Sequence, residues 1–168
     1  MKDQKLQKTN VYRLLDQAGA VYTQHYYGDT EAVSGTEVAE ALHEDPDRVF
    51  KTLVTEAAGR KYYVFMIPVE RELNLKKAAK AVGEKKLEML KAKELLPLTG
   101  YVHGGCSPIG MKKAFPTVID ESAAGLESLY FSAGKIGYQV ETTLKDLERI
   151  LRFTCADVTD QKGADYEV

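Results

Sequence analysis

The sequence predicts an α+β fold, a single mixed domain in which helices surround a partly closed sheet. Three observations predict it. Short β-rich runs alternate with short amphipathic stretches along the whole chain. Two of the β-rich runs, residues 50–55 and 61–67, are joined by the hairpin signal Glu56-Ala57-Ala58-Gly59-Arg60. The helical stretches carry their own start and stop residues. At 168 residues the chain is the size of one domain with one substantial core, so residues 1–168 are read as one unit.

Each element follows in order. Val11, Leu14, Leu15 and Ala18 recur at helical spacing behind a Thr9 or Asn10 cap and before Gly19. Residues 20–27 alternate as a strand, with Val21, Thr23 and His25 on one face and Tyr22, Gln24 and Tyr26 on the other. Ser34 and Glu37 have the spacing of a capping box, and Val38, Ala39 and Leu42 continue that helix. Asp45-Pro46 suits the cap and first position of a further helical turn.

After the hairpin, Leu75, Ala78, Ala79 and Val82 form an apolar face that ends at Gly83. Residues 95–98 close another short helix, and residues 101–103 lead as a strand into a glycine-rich loop. Residues 117–119, 129–131 and 138–140 are short strands. Thr143 caps a helix over 144–151 whose stripe is Leu144, Leu147, Ile150 and Leu151, and residues 155–158 read as a last strand. Local patterns do not encode the strand order.

Composition narrows the function classes. Hydrophobic residues at 44% and charged residues at 29% are an ordinary globular balance. No run approaches the ~20 apolar residues of a membrane span. The segment from Met1 to Lys8 is polar and lacks the apolar core of a secretory signal. Cys106 and Cys155 are too few for a disulfide framework, so reduced thiols and a cytoplasmic location are expected.

The net charge of −2 excludes a general polycation. The charge is uneven, however. Lys76, Lys77, Lys80, Lys85, Lys86, Lys91 and Lys93 stand against Glu84 and Glu88, and Lys112 with Lys113 adds a second cluster. Such patches attract a phosphate backbone, or are simply a solvated face.

The densest unusual segment runs from Gly100 to Lys113, with Gly104-Gly105-Cys106-Ser107-Pro108-Ile109-Gly110 at its centre. Glycines permit positive φ and close approach to a ligand, and adjacent N–H groups in such a loop can meet one oxyanion. A tight structural turn is the plain alternative. Three sharper readings fail. Gly105 and Gly110 have phosphate-loop spacing, but Met111 displaces the lysine and no Ser or Thr follows it. His103 and Cys106 are two ligands where zinc needs three or four, and His25, His43 and Cys155 complete no recognisable spacing. Cys106 activated by His103 is a minor candidate nucleophile, because a free cysteine is more often a small buried hydrophobe.

Lys51 lies inside the apolar run Val49-Phe50-Lys51-Thr52-Leu53-Val54 and shares a face with Val49 and Leu53. A lysine there serves a cleft, snorkels, or guards a strand edge. The turn Ser132-Ala133-Gly134-Lys135-Ile136-Gly137 exposes backbone beside a hydroxyl.

Phe50-Lys51-Thr52-Leu53, the run from Gly100 to Lys113, and Ser132-Ala133-Gly134-Lys135-x-Gly137 together resemble the YbaK/EbsC family of Cys-tRNA(Pro) deacylases, relatives of the prolyl-tRNA synthetase editing domain. The resemblance covers residues 10–160. It implies a trans-editing enzyme of that domain's fold, free of metal or other cofactor, that removes cysteine from Cys-tRNA(Pro) and also from Cys-tRNA(Cys). It implies the acceptor end of aminoacyl-tRNA as partner, with a prolyl-tRNA synthetase as a second candidate, and neither DNA nor membrane.

By the same resemblance Lys51 matches the essential lysine that holds the terminal adenosine, and Gly104 the glycine whose N–H positions the aminoacyl carbonyl. Tyr27, Ser34, Thr52, Gly105, Ser107, Pro108, Ser132 and Gln139 are the implied substrate-binding residues. Gln139 stands where some members carry an aspartate, and Ser34 where a bulky aromatic is common. In this family the substrate's own thiolate attacks the ester and leaves as a cyclic thiolactone, so the protein supplies orientation rather than a nucleophile. Two alternatives stay open: a deacylase for alanine or another small amino acid, and a non-catalytic synthetase-binding module.

Overall fold

The computed structural model describes residues 7–160. Helix α1, Asn10–Ala18, starts on Thr9, whose hydroxyl accepts from the Tyr12 amide, and stops where Gly19 turns left-handed at φ +73°. Strand β1 is Tyr22–Tyr26, and helix α2 is Gly35–Ala41. Both halves of the α2 capping box are formed, Ser34 accepting from the Glu37 amide and the Glu37 carboxylate accepting from the Ser34 amide. A 3₁₀ turn at Pro46–Arg48, capped by Asp45, leads into β2, Phe50–Ala57, and β3, Lys61–Pro68.

Helix α3 is Leu75–Val82 and β4 is Glu88–Met89. Helix α4, Ala92–Thr99, begins at Lys91 without a side-chain cap. Strand β5, Thr117–Asp120, a 3₁₀ turn at Glu121–Gly125, and strands β6, Leu129–Ser132, and β7, Tyr138–Thr142, follow. Helix α5, Leu144–Leu147, and β8, Phe153–Ala156, complete the order. No helix among the described residues is long and apolar enough to cross a membrane.

The α+β class holds, but the sheet is not one partly closed surface. There are two sheets. One is antiparallel in the order β1-β7-β6; the other runs β4-β2-β3-β5-β8, antiparallel through β3 and parallel from β3 to β8. An isolated parallel bridge, Val49 to Tyr130, joins them. Strand alternation then sorts the core. Phe50, Met66, Phe131, Tyr138 and Val140 pack under Val11, Tyr12 and Leu15 of α1. On the opposite face, Val49 and Tyr130 pack with Ala39 of α2, and Phe65 and Ile67 with Ala78 and Ala79 of α3.

Three expectations are corrected. Residues 101–103 form no strand: the Gly105 amide donates to the Val102 carbonyl at 3.0 Å, closing a turn. The helix expected over 144–151 stops at Leu147 and relaxes into turns, with the Ile150 and Leu151 amides both donating to the Leu147 carbonyl. The last strand begins two residues earlier than expected, because its register to β5 pairs Phe153 with Thr117. Strand β4 carries no alternation in its two residues and is defined by pairing with Thr55 and Glu56.

Candidate active site

The bridge from Val49 to Tyr130 sets the site. Beyond it β2 and β6 belong to different sheets. Lys51-Thr52 and Ser132-Ala133, two and three residues on in the same direction, therefore leave the bridge on neighbouring strands of different sheets. Lys51 pairs with Ile67 of β3 and is half-buried, and its ammonium makes no hydrogen bond or ion pair with any described residue. It shares its face with Val49 and Leu53, as its spacing in the sequence predicts. The Thr52 hydroxyl is buried and unpartnered.

Ser132 and Gln139 face each other across β6 and β7. The Ser132 hydroxyl accepts from the Gly134 amide at 3.0 Å, which fixes the tight turn that follows. The Gln139 backbone carbonyl accepts from the Tyr12 hydroxyl at 2.6 Å, anchoring this position to α1. Its side chain is only 6% exposed, yet Oε1 has no partner. An orphan acceptor at such depth costs free energy.

The glycine loop leans on the β6–β7 turn. Gly104 sits at φ +90°, and a Cβ there would meet only the Ile136 side chain, at 3.8 Å. A Cβ on Gly105 would lie 3.3 Å from the Ile136 backbone nitrogen, so close approach requires glycine there. The same turn touches the segment after β1: the Tyr27 amide donates to the Gly137 carbonyl at 2.8 Å, and a Cβ on Gly137 would stand 3.3 Å from the Gly28 Cα. Residues 27–28, 104–105 and 132–137 thus converge.

Other expected site residues are placed differently. Ser34 is exposed and its hydroxyl is engaged in capping α2. Ser107 is fully buried and accepts from the Ile109 amide at 3.3 Å, and Pro108 is buried behind it. Pro108, Ile109 and Met111 line a cavity of about 1010 Å³ together with Phe115, Ile150 and Phe153. Cys106 packs among Val54, Val64 and Leu95, and burial pushes its thiol up to about 12. A neutral thiol in an apolar cluster is a poor nucleophile.

One constellation escaped the sequence reading. His25, opposite Gln139 on β1, lies 2.9 Å from the Glu141 carboxylate. Glu141 also accepts from the Ser128 hydroxyl at 2.7 Å and pairs with Arg48 at 3.5 Å. The Arg48 guanidinium lies 5.5 Å from the centre of the Tyr130 ring. Burial pushes the Glu141 carboxyl up, but the hydrogen bonds from His25 and Ser128 outweigh it and hold the group below its ordinary value. The partners are separated by 13 to 116 residues in sequence, so no local spacing signals them.

A family model of the aminoacyl-tRNA editing domain matches residues 30–150, the span that holds Lys51, the glycine loop, Ser132 and Gln139. The chain belongs to this editing-domain family. It is 41% identical over 162 residues to a protein of Enterococcus faecalis (strain ATCC 700802 / V583), "Putative Cys-tRNA(Pro)/Cys-tRNA(Cys) deacylase EbsC", covering 96% of this chain and 99% of the relative. A proline–tRNA ligase of Shouchella clausii is 32% identical over 108 residues, 64% of this editing-domain chain but 19% of the ligase. The fold matches a solved structure described as "a putative trans-editing enzyme for prolyl tRNA synthetase", with TM-score 0.76, 23% identity, and coverage of 91% of this chain and 99% of the other.

Proposed function

We propose that this editing-domain chain is a trans-acting deacylase that removes cysteine from mischarged Cys-tRNA(Pro), and from Cys-tRNA(Cys), in the cytoplasm. One observation carries the reading. The site offers an unpaired ammonium and a backbone corner but no activated nucleophile among the described residues. The Cys106 thiol is buried and neutral, and the Ser107 and Ser132 hydroxyls already accept from backbone amides. The attacking atom then comes with the substrate.

In the proposed step the esterified cysteine's thiol gives up its proton and its sulfur attacks the ester carbonyl carbon. The C–O bond to the ribose breaks, the ribose oxygen takes a proton, and a four-membered thiolactone leaves. Lys51 grips the terminal adenosine through its phosphate or ribose. The Gly104 amide donates to the carbonyl oxygen as charge develops there. Thr52, Ser132, Gln139 and Tyr27 wall the aminoacyl group, and the protein's contribution is orientation within a confined space.

Relationship to proline–tRNA ligases also makes a synthetase the candidate partner, because a synthetic pocket rejects a near-isosteric amino acid by only ~1–3 kcal/mol and a second site must correct the error. The test is release of cysteine from Cys-tRNA(Pro), with Pro-tRNA(Pro) and Ala-tRNA(Pro) as controls. Cysteine release with a thiolactone-derived product supports the reading. Equal activity of wild type and Lys51→Ala sinks it, and rapid alanine release without such a product moves the specificity to alanine.

A further inference from the structure

Strand register puts His25 in one row with two residues assigned to the aminoacyl group. Ser132 of β6 stands opposite Gln139 of β7, and Gln139 stands opposite His25 of β1. Directly opposed residues of an antiparallel pair share a face. The other face of this sheet carries Tyr22, Phe131, Tyr138 and Val140 and packs on α1. The contacts of the imidazole agree with its place in the register. It bonds to Glu141, two residues along β7 from Gln139. Its ring centre lies 5.1 Å from that of Tyr130, the β6 residue opposite Glu141. Tyr130 packs with Val49 across the bridge between the sheets, and Lys51 and Ser132 each lie two residues past that bridge.

The ring is held as a proton carrier must be. Nε2 lies 2.9 Å from the Glu141 carboxylate, while Nδ1 has no hydrogen bond to any described residue. With the Nε2 proton donated to the carboxylate, Nδ1 is left as the acceptor of the neutral ring. Glu141 is itself fixed by the Ser128 hydroxyl and by Arg48. A carboxylate so placed orients an imidazole and stabilises the imidazolium that forms when it takes a proton. The other charged or titratable groups around the pair are Arg48, Glu44 at 3.7 Å from it, and Tyr130, whose hydroxyl burial keeps protonated. The His25 side chain is 28% exposed, which leaves it within reach of a substrate atom.

We propose that His25 carries the proton of the deacylation, taking it from the substrate thiol and returning it to the ribose oxygen. The inference rests on the proposed function and supplies the acid–base group that the reaction there lacks. Nδ1 accepts the thiol proton as the sulfur attacks the ester carbonyl carbon. The C–O bond then breaks, its electron pair stays on the ribose oxygen, and the imidazolium gives its proton to that oxygen. The imidazole ends neutral and nothing else is consumed. A thiol with an ordinary pKa near ~8.5 is only a few per cent ionised at neutral pH, so a base beside it removes a real barrier.

The experiment is single-turnover release of cysteine from Cys-tRNA(Pro) by the full chain, less the spontaneous rate, between about pH 5.5 and about pH 8.5. It compares wild type with His25→Gln, whose amide can still donate to Glu141, and with His25→Ala in the presence and absence of added imidazole. The wild-type rate levels off once the imidazole is neutral. In His25→Gln the rate at neutral pH falls about 100-fold or more and climbs roughly tenfold per pH unit, following the thiolate fraction of the substrate. Added imidazole restores the rate of His25→Ala in proportion to its concentration.

A histidine that only ties β1 to β7 would lower the rate without changing the shape of the profile. A His25→Gln enzyme that keeps the wild-type plateau, at whatever rate, therefore overturns the proposal. So does a folded His25→Ala that imidazole does not rescue. Active wild type with an unchanged His25→Gln profile defeats the proton carrier alone. Wild type that releases no cysteine defeats the deacylase reading, and the proposal with it.

Discussion

Ser132 and Gln139 stand directly opposite each other on β6 and β7, yet their side chains do not bond: Ser132 is spent on the Gly134 amide and the Gln139 Oε1 atom is buried without a partner. The turn is thereby rigid while its neighbour is left unsatisfied. An unsatisfied acceptor destabilises the free protein and rewards a ligand that donates to it.

Replacing Gln139 with leucine should separate stability from activity. Removing the orphan acceptor leaves unfolding free energy unchanged or raises it by about 1 kcal/mol. Deacylation kcat/KM should fall at least roughly tenfold. Urea denaturation and the charged-tRNA assay measure the two; full activity in the variant removes Gln139 from the pocket.

Lys51→Ala should show the cleanest loss of function. The ammonium has no partner among the described residues, so stability should move by no more than about 0.5 kcal/mol. Deacylation should drop on the order of a hundredfold if the group holds the terminal adenosine as proposed. A variant that melts early and loses activity in proportion would show that Lys51 is structural instead.

Gly104→Ala and Gly105→Ala should fail for different reasons. At Gly104 there is space beside Ile136, so the cost is the positive φ, about 1–2 kcal/mol. At Gly105 the added carbon presses on the Ile136 backbone nitrogen at 3.3 Å, so the turn itself must shift. Wild-type kinetics in Gly105→Ala, with stability unchanged, would contradict the packing described.

Cys106→Ala should keep deacylation within about twofold, at a stability cost of about 1 kcal/mol for the small void. With its thiol pushed up to about 12, Cys106 should alkylate far more slowly at pH 8 than exposed Cys155. Mass spectrometry after iodoacetamide treatment reads both sites. Loss of activity without unfolding would restore Cys106 as a chemical participant.

Glu141→Gln should flatten the acid limb of stability. A carboxyl held below its ordinary value of 4.5 in the fold contributes stability above that value and loses it as pH falls through the lowered one. Wild type should therefore lose about 1–2 kcal/mol more than Glu141→Gln between neutral pH and strongly acid pH. Thermal melts at pH 7, 5 and 3 measure the difference; parallel curves would show the carboxylate is not stabilising.

Sequence made the local elements readable where side-chain chemistry is short-range. Thr9, Ser34, Asp45, Asn74 and Thr143 accept from the amides of their own first turns, and Gly19 and Gly83 end helices in the left-handed region. Lys51 was visible as a charge inside an apolar run, and Gly104 as part of a glycine cluster. What stayed hidden depends on contacts between distant segments. The junction of the two sheets rests on Val49 meeting Tyr130, and the network at His25 on Glu141 of the neighbouring strand β7. Residues 101–103 read as a strand because Tyr101 and Val102 favour extended backbone, whereas the Gly105 amide closes a local turn onto the Val102 carbonyl.

Among the seven helical segments of the described residues, six begin on a side-chain acceptor: Thr9, Ser34, Asp45, Asn74, Asp120 and Thr143. Helices this short do not persist on their own. Mutational fragility is therefore concentrated at small polar positions, most of them at the surface, where each replacement by alanine costs ~1 kcal/mol. A library of variants scored only by depth would pass these sites as harmless, and two or three such changes together would drain the margin on which a marginally stable domain depends.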